Sequence, residues 1–298
     1  MIGPKLDALR LSRGPGPRAL RWAMGTRPGI EMAELSQTRV RYRTAGNGST
    51  TIVFITDPPN VLEHYDALIE LLAPAYRVIC LDMPGFGFSY PKRQFSYSID
   101  DQIRMVTELL ERLGHGPYLL CFSCGAAFAA VGIAGQRPDL VAGLVNIQAA
   151  SWEEQGRWAH RVDLMGLVGT PIAGQLLLAS APAWVARKWY HAALPARSEV
   201  EAFVQTGTEA LHHGACFCLA SGLQQLQSGS PPVLRPVSLP SMVVWGAADR
   251  THRRTDKNSA RTYFPEASWH EFPSAAHFPE LEEPERFAAL VREFATGV

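Results

Sequence analysis

The residues whose types and spacing could do chemistry gather in the stretch Gly-Pro-Tyr-Leu-Leu-Cys-Phe-Ser-Cys-Gly-Ala-Ala, residues 116–127. The apolar run Tyr118 to Phe122 reads as a fully buried strand, and the Ala-rich segment after Gly125 reads as a helix. Ser123 lies between them, with compact residues two positions away on either side, Cys121 and Gly125. A serine on a sharp strand-to-helix turn is a nucleophile elbow: the turn strains the backbone, lifts the hydroxyl above the sheet and admits only small neighbours. The helix that follows would set its positive end beneath a developing oxyanion. A plain strand-to-helix turn fits the same residues, so the rest of the chain must decide. The cysteines raise a second chemistry, because Cys121 and Cys124 form a C-x-x-C and Cys216 and Cys218 a C-x-C. Four thiolates around zinc would need such pairs. The elbow already accounts for the first pair, and no histidine follows either pair at finger-like spacing, so no metal is expected.

The elements that must position these residues are legible in order. Val40 to Thr44 alternates like a half-buried strand, and Thr51–Thr56, Tyr76–Asp82 and Val141–Ile147 are apolar strand runs. Helices are expected at Tyr65–Leu72, at Ser98–Leu113 and from the elbow to about Gln136. In the clearest of them Ser98 is the cap, Asp101 stands at the capping-box position, and Ile103, Val106, Leu109, Leu110 and Leu113 form the stripe. Strands alternating with helices imply a mostly parallel sheet covered on both faces. The alternation stops near Gln148 and returns at Ser241, where Met242–Trp245 and Ser268–Phe272 read as strands, Asp256–Tyr263 and Glu285–Phe294 as helices. The intervening stretch shows no clear strand and holds Trp152, Trp158, Trp184 and Trp189, which suits a helical cap. Trp152, just past a strand end, is expected at the pocket mouth. The divisions are an N-terminal arm (1–31), a core (32–148 and 237–298) and a cap (149–236).

Composition narrows the function classes. The chain has 298 residues, is 47% hydrophobic and 19% charged, and balances 28 basic against 28 acidic residues. That is a soluble globular protein with no reason to seek nucleic acid or an anionic membrane. No apolar run approaches the roughly 18 residues of a spanning helix. Five cysteines, several of them on or beside core strands, suit reduced thiols and a cytoplasmic setting. The arm is basic (Lys5, Arg10, Arg13, Arg18, Arg21 and Arg27 against Asp7) but lacks the apolar segment of a secretory signal. A mobile arm, a helix packed on the cap and an organelle-targeting segment all remain open for it.

Four motifs occur in order: Leu81-Asp82-Met83-Pro84-Gly85-Phe86-Gly87-Phe88-Ser89, the elbow at Ser123, Val244-Trp245-Gly246-Ala247-Ala248-Asp249, and Ala276-His277-Phe278-Pro279. Together they resemble the α/β-hydrolase fold, in particular its capped group of epoxide hydrolases, haloalkane dehalogenases, C–C-bond hydrolases and esterases. The resemblance runs from about Glu34 to the end and is weakest in the cap. It implies an α/β class, with a mostly parallel sheet, helices on both faces and an inserted helical cap. It further implies that Ser123 is the nucleophile, Asp249 the acid and His277 the general base, in the chain order this fold uses. The serine needs the base because an alcohol is a poor nucleophile at its own pKa, and the acid fixes the imidazole tautomer. Serine in place of aspartate argues against the carboxylate attack of dehalogenases and epoxide hydrolases. His252 is a second candidate, at the site rim.

Two departures from the family pattern matter. Cys121 stands where glycine is usual, and Thr56-Asp57-Pro58-Pro59 replaces His-Gly-X-Pro. Pro58 has no N–H to give an oxyanion, which leaves Cys124 N–H as a donor, with Thr56, Asp57 or Asn60 as substitutes. The Asp57 carboxylate, if it points inward, would repel an oxyanion and could act as an acid or bind a cationic or hydroxyl-bearing group. The expected function is therefore a serine hydrolase for an ester, thioester or activated C–C bond of a medium-sized apolar small molecule, with no cofactor. The alternatives are a cofactor-free lyase, cyclase or eliminating enzyme with His277 as proton shuttle, and a non-catalytic small-molecule receptor.

Overall fold

The computed structural model describes residues 1–163, 165–195 and 200–298. Residues 164 and 196–199 fall within the span expected for the cap.

Helices α1 (Ile2–Leu11) and α2 (Pro17–Gly25) precede strands β1 (Ile30–Glu34), β2 (Thr38–Ala45) and β3 (Thr51–Ile55). The chain continues through α3 (Asp66–Leu72), β4 (Arg77–Leu81), the short strands β5 (Phe86–Gly87) and β6 (Tyr90–Pro91), and α4 (Ile99–Leu113). Next come β7 (Tyr118–Ser123), α5 (Ala127–Gln136) and β8 (Val141–Ile147). The cap holds α6 (Trp152–Val162), α7 (Ala173–Ser180), α8 (Pro182–Ala193), α9 (Val200–His212), β9 (Cys216–Phe217) and α10 (Leu219–Ser228). The core resumes with β10 (Ser241–Gly246), β11 (Ser268–Phe272), α11 (Pro279–Glu282) and α12 (Pro284–Ala295).

The main sheet runs β1-β2-β4-β3-β7-β8-β10-β11, with β6 added to β2. It is antiparallel from β1 to β4 and parallel from β4 through β11. All six residues of β7 are buried, as befits a central strand covered on both faces. Its side chains divide by the period of two. Tyr118, Leu120 and Phe122 join the core shared with α4 and α5, while Leu119 and Cys121 join the one shared with α3 and α12. Because β4, β3, β7, β10 and β11 are parallel, the loops at their C-terminal ends emerge along one edge, beneath the cap.

Capping follows the expected chemistry in α4, where Ser98 Oγ accepts from Asp101 N–H at 3.2 Å. The Asp101 carboxylate returns not to Ser98 but to Ser96, through its N–H at 2.7 Å and its hydroxyl at 2.6 Å. The cap differs from expectation in one place: β9 is a strand, paired antiparallel with β5. Asp256–Tyr263 contains a 3₁₀ helix, Lys257–Thr262, and Leu62–Tyr65 is a 3₁₀ turn that leads into α3.

The N-terminal arm is docked. Asp7 on α1 is 1% exposed and accepts from Ser221 Oγ on α10 at 2.8 Å and from Arg10 at 3.1 Å. Helix α2 is tied to the sheet by the buried Arg41. Its guanidinium donates to the Ala23 carbonyl, to Thr26, to Glu63 and to Asp82. Asp82 also accepts from Leu62 N–H at 3.0 Å and Phe88 N–H at 2.8 Å, fixing the loop that carries Met83 and Phe86. Among the described residues no helix is long and apolar enough to cross a membrane.

Candidate active site

The turn after β7 is built one residue later than the small-residue spacing suggests. Ser123 is extended (φ −108°, ψ 154°) and still pairs with Ile147 of β8. The left-handed apex is Cys124, at φ 49°. That conformation is uncommon for a residue with a side chain and marks a constrained turn. Alternation fixes the consequence. Ser123 shares a face with Leu119 and Cys121, beside the Tyr65 phenol, and its hydroxyl has no hydrogen-bond partner. Cys124 instead faces the cavity under the cap, with Gly125 beside it. The expectation that Ser123 stands at the apex is thus corrected, because the ladder to β8 extends through it and turns its side chain to the far face. The residue that follows the apex is therefore Gly125 and not Cys124, the residue whose N–H was expected to serve an oxyanion.

His277 lies on the loop between β11 and α11 and is fully buried. That loop passes so close to the end of β10 that a side chain at Gly246 would collide with the Ala276 carbonyl, which explains the glycine. Glu282 holds the loop from the other side, accepting from Ala276 N–H at 2.9 Å and Phe278 N–H at 2.9 Å. The approach brings His277 Nδ1 to Asp249 Oδ2 at 2.7 Å. Asp249 is oriented in turn by Thr251, whose N–H and hydroxyl each reach Oδ1 at 2.7 Å, and by Gln148 Nε2 at 2.9 Å from Oδ2. Gln148, at φ 49°, also accepts from Gly246 N–H at 2.8 Å, so one amide ties the ends of β8 and β10 to the acid.

The other imidazole nitrogen faces the cavity. Asp57 Oδ2 approaches His277 Nε2 to 3.2 Å, off line for a hydrogen bond, so both atoms stay unpartnered and buried. Donor atoms of Asp57, Cys124 and His277 all lie within 4.8 Å of one another. The set is one that could hold a thiophilic divalent ion, and Asp249, His252 and His277 form a second such group. Gln155 on α6 reaches the thiol from above, Nε2 to Sγ 3.3 Å. Trp158 stacks on His277 at 5.8 Å and on His252 at 4.8 Å, and Trp189 meets the His277 ring edge-on at 5.4 Å.

These surroundings set the protonation states. Burial pulls the His277 pKa down, but the carboxylates of Asp249 and Asp57 outweigh it and hold the imidazole well above its ordinary value. Burial pushes Asp249 up, and the imidazolium more than reverses this, leaving it well below the usual carboxylate range. Burial pushes the Cys124 thiol up and Asp57 adds to the effect, with His277 a smaller opposing influence. His252 is pulled down to about 3, chiefly by burial. The thiol is thus held against ionisation beside an imidazole whose affinity for a second proton its surroundings raise.

The remaining expected residues divide. Asp57, Pro58 and Trp152 line the cavity. Thr56 does not reach it: the residue is fully buried, and its hydroxyl accepts from Met83 N–H at 3.1 Å, which corrects the expectation of an oxyanion role. Asn60 is also fully buried, with both amide atoms unpartnered. His252 is 4% exposed and packs behind His277 instead of standing at the rim. The cavity measures about 730 Å³ and its walls are largely apolar, from Met83, Phe86, Ile99, Trp158 and Leu223 among others. Gln148 and Gln155 carried no sequence signal, since an amide far along the chain declares nothing until the fold brings it to its partner.

A family model described as "Alpha/beta hydrolase family" matches residues 46–290. Haloalkane dehalogenase 2 of Mycobacterium tuberculosis is 24% identical over 281 residues, covering 87% of this chain and 92% of its own. The crystal structure of the Cif epoxide hydrolase from Acinetobacter nosocomialis superposes with a TM-score of 0.73 at 12% identity, covering 98% of this chain and 96% of that one. A thermophilic esterase from Thermogutta terrifontis superposes with a TM-score of 0.68 at 20% identity, covering 90% and 98%.

Proposed function

This chain belongs to the alpha/beta hydrolase family, and we propose that within it the chain is a cysteine-dependent hydrolase of an ester or thioester with a medium-sized apolar body. One observation carries the reading: the left-handed apex residue is a thiol that shares the cavity with His277, whose far nitrogen is held by Asp249. In the form of the enzyme with His277 Nε2 unprotonated, Cys124 Sγ attacks the acyl carbon and gives its proton to that nitrogen. The resulting tetrahedral oxyanion is met by Gly125 N–H at the start of the helical segment that leads into α5. The leaving group departs with the proton from His277. Water then attacks the thioester, with the imidazole again as base, and the freed acid leaves a thiol. The dehalogenase and epoxide hydrolase activities of the relatives are not carried over, since their carboxylate attack has no counterpart at a cysteine apex. A p-nitrophenyl ester tests the reading: a burst of nitrophenol equal to the enzyme concentration supports an acyl-enzyme, and linear release that is unaffected by thiol alkylation speaks against it.

Asp57 makes a prediction of its own. It helps hold the proton on Nε2, where His277 cannot accept one from the thiol, and it raises the thiol itself. Asp57→Asn removes both influences, so the His277 and Cys124 pKa values fall. The acidic limb of the kcat/KM profile and the pH dependence of alkylation by iodoacetamide are both expected to move to lower pH. A limb that stays in place would remove Asp57 from the acid–base chemistry.

The same carboxylate favours a second reading, a cofactor-free lyase or eliminating enzyme in which His277 and Asp57 move a substrate proton. Its mark is turnover that survives Cys124→Ala and is lost in His277→Ala.

A further inference from the structure

The mouth of the cavity carries a charge that the apolar walls do not call for. Arg161 on α6, Lys188 on α8, and Arg250, Arg253 and Arg254 in the loop after β10 all line it, and the acidic residue among the described lining residues is Asp57, at the floor. The chain as a whole is balanced, with 28 basic and 28 acidic residues, so this is local sorting and not a basic protein. None of the five cations forms an ion pair among the described residues, whereas Arg157 and Arg187 nearby are paired with Glu154 and Glu201. Two are held in place without being neutralised. Arg250 donates to the carbonyls of His191 and Leu194, the latter at 3.0 Å, and Arg161 donates to Thr255 Oγ1 at 2.9 Å. The cations come from the cap and from the core, and all five are exposed, so they stand at the solvent end of a cavity whose other walls are largely apolar.

We infer that the substrate is an amphiphilic anion: an apolar acyl portion fills the cavity to Cys124, and a carboxylate or phosphate remains at the cationic mouth. Several like charges around a low-dielectric opening focus the field and draw such a molecule in end-on. The arrangement also sets the binding direction, since the anion is kept from the floor by Asp57. This inference rests on reading the cavity as the substrate site.

Binding tests it without turnover. Octanoate, octyl phosphate and 1-octanol are titrated below their aggregation limits, with quenching of Trp158 and Trp189 as the signal. At low ionic strength the two anions are expected to bind about tenfold more tightly than the alcohol, an advantage that shrinks in roughly 0.5 M salt. A gain for octyl phosphate alone identifies a phosphate, and a gain for both identifies a carboxylate as sufficient. The double variant Arg253→Glu/Arg254→Glu is expected to lose the advantage while its affinity for 1-octanol is unchanged. Equal affinities, no binding by any of the three, or an advantage that survives both salt and charge reversal would overturn the inference. The same titrations in Cys124→Ala keep anion selectivity separate from the identity of the nucleophile.

Discussion

Replacing Cys124 by alanine is expected to lower kcat/KM on an ester substrate by on the order of 10⁴ or more, while replacing its neighbour Ser123 changes it by less than about threefold. The contrast follows from one residue of register. Cys124 is the apex and its sulfur meets the cavity, so its loss removes the bond-forming atom. The Ser123 hydroxyl is buried on the other face of β7 beside the Tyr65 phenol and does not line the cavity, so deleting it leaves the reacting groups in place. Both variants should keep the wild-type melting temperature within a few degrees, which a thermal scan would check before kinetics are compared. Equal losses in the two variants would mean that the apex assignment fails.

Asp249→Asn carries the second large effect, a loss of roughly 10⁴ in kcat with KM nearly unchanged. Asp249 accepts from His277 Nδ1, Gln148 Nε2 and both donors of Thr251, and every one of those partners is itself a donor. An asparagine must turn an NH₂ toward one of them. The imidazole then loses the acceptor that keeps Nδ1 protonated and Nε2 free to take the thiol proton. It also loses the strongest influence that holds its pKa up, so the residual activity should show an acidic limb at lower pH than the wild type. Ligand binding read by tryptophan quenching should be retained, since Asp249 does not line the cavity. A loss of binding equal to the loss of turnover would make the residue structural instead.

How much of this was legible in the sequence depends on the range of the interaction that decides each feature. Strand Val141–Ile147 is an apolar run interrupted by Asn146, and Ser98 is a cap three residues before Asp101, so both are local facts written in adjacent residues. Gly246 and Ala276-His277 lie in recognisable motifs, and the collision that requires the glycine only adds the reason. Strand β9 was not legible, because two residues become a strand only by pairing with Phe86–Gly87 from far earlier in the chain. The elbow register failed for a similar reason. Cys121 and Gly125 flank Ser123 at the right spacing, but the pairing of Ser123 with Ile147 decides where the strand ends, and that is a contact between strands. The inward turn of Asp57 and the reach of Gln155 onto the thiol likewise depend on loops that meet only in the folded chain.

Trapping the covalent intermediate tests the central claim most directly. Wild-type protein is mixed with a p-nitrophenyl ester, quenched in acid within the burst, and its intact mass and peptide map are recorded before and after neutral hydroxylamine. One acyl group on the peptide that contains Cys124, fragmenting to Cys124 and released by hydroxylamine as a thioester, is the predicted result. An acyl group on Ser123 that resists hydroxylamine, or turnover with no acylated peptide at any quench time, would contradict it.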